Sequence, residues 1–166
     1  MKKRVTITYP ASPARVAAML ADPAYQRSRF ERFSLEDASI DVAVRGRGFV
    51  ATVSGSVPPS RLPAAAARFV RSAVSFGLTE SWGEPAADGA RAGSLDATAK
   101  GAPVKAGATM SMRPGADGDS TQVTIDLELS VSVPLVGRSV EEKVLAQTGR
   151  VVADEERRGA AWLATA

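Results

Sequence analysis

The chain contains no cysteine and no histidine. Without cysteine there is no disulfide, no thiol nucleophile and no Cys-ligated metal site. Without histidine the usual general base near neutral pH is gone, and so is the commonest transition-metal ligand. Aromatic residues make up only 5%. They do not interleave with the basic residues, the densest run of which is Lys2-Lys3-Arg4, followed loosely by Arg27, Arg29 and Arg32. Clustered cations with stacking aromatics mark nucleic-acid binding, so these basic residues read as a solvated surface and no nucleic-acid partner is expected. No apolar run approaches the roughly 18 residues of a membrane span. The chain enters a strand-like segment directly, without an apolar leader. No stable membrane insertion, and a cytoplasmic setting, are the expectation.

What is present fits a packed domain. The 166 residues are 45% hydrophobic and 23% charged, with a formal net charge of +3. That length supports one domain with a real core, expected to span 1–166.

Lys2 to Tyr9 alternates, with Val5, Ile7 and Tyr9 on one parity, as in a half-buried strand. Ser12-Pro13 starts a short helix with an apolar face of Val16, Met19 and Leu20. Asp22-Pro23 starts a second, running to about Phe33. Ile40, Val42 and Val44 alternate on the next strand. Arg45-Gly46-Arg47-Gly48 reads as a hairpin turn, and Phe49, Ala51 and Val53 return. Val57-Pro58-Pro59-Ser60 breaks the pattern, and the Ala-rich stretch from Pro63 to Val70 reads as a short inserted helix. Val74, Phe76, Leu78, Glu80 and Trp82 share one parity of a further strand. Weak strands follow over Ala90 to Ala99 and Val104 to Met112. Val123 to Val133 forms the cleanest strand, with Asp126 and Glu128 on its polar face. A C-terminal helix is predicted from Ser139 to Leu163, about 36 Å long at 1.5 Å per residue. Ser139 and Glu142 fit a capping box, and Val140, Val144, Leu145, Val151, Val152, Trp162 and Leu163 form its apolar face.

This order predicts an α+β fold: one strand, two short helices, then about six more strands and one long helix. Three short motifs stand out: Ala21-Asp22-Pro23-Ala24-Tyr25, Glu80-Ser81-Trp82, and Val136-Gly137 leading into Val140-Glu141. In element order the chain resembles the helix-grip fold of START-like domains. That superfamily includes lipid-transfer domains, birch-pollen-allergen-like proteins and polyketide cyclase/aromatase domains. More narrowly, it resembles an uncharacterised bacterial family placed there. The resemblance implies a curved antiparallel sheet of about seven strands wrapped around the C-terminal helix, enclosing an apolar cavity.

Several residues admit two readings. Glu80 shares inward parity with Phe76, Leu78 and Trp82. It is either a polar anchor or acid/base group for a ligand, or a structural carboxylate paired with an arginine. Thr148, Glu155 and Gly159 interrupt the apolar face of the long helix. They mark a cavity floor with hydrogen-bonding groups such as the Thr148 hydroxyl, or else Glu155 lies where the helix leaves the sheet and Gly159 lets a loop approach. Phe49, Trp82, Met110 and Met112 are either pocket lining or ordinary core. The candidate lining is completed by Val144 and Val151. The acid pairs Asp126/Glu128 and Glu155/Glu156 lack metal-loop spacing and read as solvated. No catalytic residue, cofactor or metal is assigned. The leading expectation is a non-catalytic module that holds, and possibly transports, a hydrophobic small molecule such as a lipid or polyketide. The alternatives are a cyclase/aromatase-type enzyme and a protein-interaction module.

Overall fold

A computed structural model describes residues 1–62, 64–68 and 70–166. Strand β1 (Lys2–Tyr9) is followed by helices α1 (Pro13–Leu20) and α2 (Pro23–Glu31). Strands β2 (Glu36–Arg45) and β3 (Gly48–Val57) come next, then a single 3₁₀ turn (Pro59–Arg61) and the short α3 (Ala64–Ala67). Strands β4 (Val74–Trp82), β5 (Arg91–Lys100), β6 (Val104–Pro114) and β7 (Thr121–Val131) complete the sheet. Helices α4 (Gly137–Ala146) and α5 (Thr148–Thr165) end the chain. The inserted helix expected from Pro63 to Val70 is thus described over Ala64–Ala67; Pro63 and Phe69 lie outside the described residues.

All neighbouring strands are antiparallel, in the order β1-β7-β6-β5-β4-β3-β2. β2 to β7 is a simple meander. Only β1 and β7 pair across a long sequence separation, Val5 opposite Ile125 and Tyr9 opposite Thr121. The helices α1 and α2 therefore carry the chain from one edge of the sheet to the other. Asp22 caps α2 by accepting the Ala24 N–H at 2.7 Å, with Pro23 as first helical residue.

The sequence predicts one helix from Ser139, and the structure corrects this in two ways. First, the helix begins at Gly137, where the N–H donates to Val133 O at 2.9 Å. The capping box does not form. Ser139 lies inside α4, Glu142 pairs with Arg138 at 3.3 Å, and Glu141 instead accepts the Val131 N–H at 2.8 Å. Second, the helix tightens into a turn at Gln147, whose N–H bonds Val144 O at 3.1 Å. The cause is competition for a carbonyl. Leu145 O accepts both Lys3 Nζ and Thr148 Oγ1, each at 2.8 Å, so side chains take the place of the helical ladder there.

The core sits at one end of the concave face. Tyr9, Tyr25, Phe49, Trp82, Met110, Met112 and Val123 are buried together with α1 and Leu163. α4 packs mainly on β7 and α5 on β1. The two helices run from the end of the sheet holding Val131 toward the end holding Tyr9.

Candidate functional site: a buried polar knot beside an apolar groove

Strand alternation decides what faces the helix. In β4 it turns Phe76, Leu78, Glu80 and Trp82 to the concave side, with Glu80 opposite Ala51 on one neighbour and Leu95 on the other. Glu80 is 4% exposed. A carboxylate so placed requires partners, and the sheet and α2 supply them. Trp82 Nε1 donates to Oε1 at 2.8 Å. Arg29 Nη1 donates to Oε2 at 2.7 Å, with Gln26 Nε2 at 3.5 Å. Gln26 is itself fully buried and donates to Leu20 O at 2.6 Å.

Arg29 has a second carboxylate. Its Nε lies 3.2 Å from Oε2 of Glu155 on α5. The hydroxyls of Tyr9 and Tyr25 both donate to Glu155 Oε1, each at 2.9 Å. Glu155 is only 2% exposed. The expectation that Glu155 and Glu156 form a solvated pair is therefore wrong for Glu155. Glu155 falls on the inner face of α5, one turn before Gly159, and Gly159 brings the helix against the Tyr9 ring. Glu156 turns away and accepts the Thr8 N–H at 2.9 Å.

One guanidinium thus joins two carboxylates from β4 and α5, and two tyrosines and a tryptophan fill the remaining acceptor sites. Burial pushes the Tyr9 and Tyr25 hydroxyls well above their ordinary range, and the neighbouring Glu155 charge adds to the effect. Both remain neutral donors. Burial alone would depress Arg29; Glu80 and Glu155 more than reverse this and hold it firmly charged. The knot ties α2, α5, β1 and β4 into one unit. Its carboxylates are sealed, which suits them to structure and not to proton transfer with a substrate.

Beyond the knot, toward the Val131 end, the concave face is not closed. Phe76, Leu78, Leu95, Ala97, Ala108 and Leu127 have inward parity yet are only half-buried. Two of the six, Ala97 and Ala108, are alanines, which leave room. The helices at this end carry Val144 and Val151, 48% and 41% exposed. Val151 lies one turn before Glu155 on α5 and so shares its helical side. The segment between β3 and β4, with the 3₁₀ turn and α3, joins the sheet at this same end.

An open depression of about 1020 Å³ lies along β1, β5, β6 and β7. Its lining includes the outward Arg4 and Asp126, paired at 2.6 Å, and Lys2 and Glu128, paired at 3.8 Å, together with the inward-parity Leu95, Ala108 and Leu127. Both signs of charge are present, and the outward residues read as a solvated surface.

The residues singled out from sequence divide accordingly. Phe49, Trp82, Met110 and Met112 belong to the buried core. Glu80 belongs to the knot. Phe76 and Leu78 are half-buried on the inward face of β4, and Val144 and Val151 are exposed on α4 and α5. Thr148 is half-buried and spends its hydroxyl on Leu145 O. Sequence reasoning missed Tyr9, Tyr25, Gln26 and Arg29. A signal existed: with the Asp22 cap fixing the phase of α2, Arg29 lies i+4 from Tyr25 and i+3 from Gln26, so both are its neighbours on the helix surface. Among the described residues no group of carboxylates has the arrangement of a metal site, and no helix is long and apolar enough to cross a membrane.

The sequence profile of the family described as "Protein of unknown function (DUF2505)" matches residues 4–163, and the chain belongs to that family. No curated protein matches it in sequence. Among solved structures, it is similar to a protein from Thermus thermophilus, with 16% identity, TM-score 0.54, and 96% of this chain and 97% of that one covered. It is also similar to Ara h 8.0201, with 11% identity, TM-score 0.50, and coverage of 100% and 99%. A third is a point mutant of norcoclaurine synthase from Thalictrum flavum, in complex with a transition-state analogue, with 11% identity, TM-score 0.50, and coverage of 99% and 94%. The fold shared with these structures is the helix-grip fold, a curved antiparallel seven-stranded sheet against a long C-terminal helical segment.

Proposed function

We propose that this member of the DUF2505 family binds a hydrophobic small molecule, of lipid or polyketide type, in the groove between the concave sheet and α4–α5. The observation that carries this reading is that Phe76, Leu78, Ala97 and Leu127 are only half-buried on the face that should be core. A solid core would bury them, because each buried large side chain is worth about 1.5–3 kcal/mol. A ligand would recover that energy. The fold family commonly binds hydrophobic ligands, which supports the same reading. The polar knot serves as a rigid end wall, and the 3₁₀ turn Pro59–Arg61 and α3, at the other end of the sheet, would act as its gate. A cyclase-type activity draws little support, since Glu80, its one candidate group, is held by Arg29, Trp82 and Gln26.

Native mass spectrometry of the protein purified from its own host tests the proposal. The expected result is added mass that organic solvent releases as an apolar compound. A ligand-free mass, with no uptake of added apolar compounds, overturns it.

A further inference from the structure

We infer that β2 is a self-association edge, and that two copies of this chain join their sheets through it. β2 is one end of the strand order, so one side of its backbone has no partner in the sheet. The hairpin fixes which groups are free. Arg45 pairs with Gly48 across a two-residue turn, with Gly46 at φ +60°. Such a turn closes on a hydrogen-bonded pair. Residues 45, 43, 41 and 39 therefore bond β3, and the N–H and C=O groups of Ile40, Val42 and Val44 point to the open edge.

Natural edges are usually blunted by lysine, proline or a bulge. Here the irregularity lies only between Glu36 and Ser39. From Ser39 to Arg45 the ladder is regular and contains neither proline nor lysine. Val44 is 70% exposed although its parity is inward.

The side chains choose the register. An antiparallel pairing about a two-fold axis at Val42 sets Ile40 against Val44 of the partner subunit and makes about six backbone hydrogen bonds. It covers both copies of Val44. Asp41 then lies diagonal to Arg45 of the partner subunit, within reach for a cross-strand ion pair, and the symmetry makes this contact twice. Asp41 and Arg45 are exposed and form no ion pair among the described residues. Moving the axis to residue 41 would set Asp41 against its own copy. Moving it to residue 43 would shorten the ladder and run it into the Gly46 turn. A one-residue slip would put the apolar residues on the wrong face. An edge ladder buries less than the roughly 1,200 Å² of a stable specific interface, so the dimer is weak and concentration-dependent.

Sedimentation equilibrium from about 10 μM to about 1 mM tests this. The wild-type chain is expected to pass from monomer to dimer. Val42→Pro should abolish the dimer with an unchanged circular dichroism spectrum, because the Val42 N–H serves only the open edge. Asp41→Arg and Arg45→Asp should each weaken association by roughly threefold to tenfold. The double exchange, Asp41→Arg with Arg45→Asp, should restore it. A monomer at every concentration, a dimer that survives Val42→Pro, or a double exchange no better than the single ones would overturn the inference.

Discussion

Gly159 on α5 faces the ring of Tyr9 on β1 so closely that a Cβ at 159 would stand 2.5 Å from Cε1. Tyr25 Oη would be 3.3 Å away. Both tyrosines are held in place by Glu155, one turn earlier, so neither ring can yield freely. Glycine inside a helix ordinarily costs about 1 kcal/mol against alanine. Here Gly159→Ala should still destabilise, by about 1–3 kcal/mol, because overpacking outweighs propensity. Gly149, on the same helix, has open space around it: a Cβ there would meet nothing within 4 Å. Gly149→Ala should stabilise by about 0.5–1 kcal/mol. Urea unfolding of the two variants checks the contrast in sign.

Arg29 holds two buried carboxylates at once. Removing a single partner from a buried ion pair costs about 3–5 kcal/mol. Arg29→Met should fall in that range. Adding Glu80→Gln and Glu155→Gln to it should recover a large part of the loss, since the uncompensated charge disappears. Chemical denaturation of the single and triple variants measures the coupling. Simple additivity would show that the three residues do not act as a unit.

Tyr9 and Tyr25 are the only tyrosines, so ultraviolet titration reads the knot alone. Burial and Glu155 raise both folded values. A raised folded pKa contributes stability that is complete below the unfolded value, about 10, and is lost as pH rises through the range above it. No tyrosinate absorbance should appear near pH 10 while the protein stays folded. It should emerge only together with alkaline unfolding, followed by circular dichroism on the same sample.

Asp154 accepts hydrogen bonds from Arg32, Arg157 and Arg158, and Arg158 lies at 2.8 Å. The Arg158 hydrogen bond, followed by that of Arg32, holds its carboxyl below the ordinary range. A depressed folded pKa contributes stability above the unfolded value, about 4, and loses it as pH falls. Asp154→Asn should therefore be less stable than the wild type at pH 7. The difference should shrink as pH drops below about 4, as thermal unfolding across that range would record.

The strands were legible because alternation is a local signal. β4 runs from Val74 to Trp82, the residues its parity marked out. The two short helices were legible from Ser12-Pro13 and Asp22-Pro23. The helix break at Gln147 was not, because it depends on Lys3, remote in sequence, reaching Leu145 O. Glu155 was misread for a related reason. A polar residue on an apolar helical face looks like a helix leaving its sheet unless its partners are known. Those partners come from β1 and α2, and nothing in the local pattern links Tyr9, Arg29 and Glu155. Conversely, inward parity could not distinguish Trp82, which is buried, from Leu78, which is half-buried. That difference depends on where the helices lie over the sheet.

The groove is tested most directly by filling it. Ala97 faces inward on β5 and is half-buried, so a larger side chain there occupies groove space and leaves the knot untouched. The measurement is a fluorescence titration of the wild type and Ala97→Phe with N-phenyl-1-naphthylamine, a neutral apolar probe. The account predicts saturable binding by the wild type, at least about tenfold weaker binding by Ala97→Phe, and no loss of thermal stability. Equal binding by both chains, or none by the wild type, would contradict it.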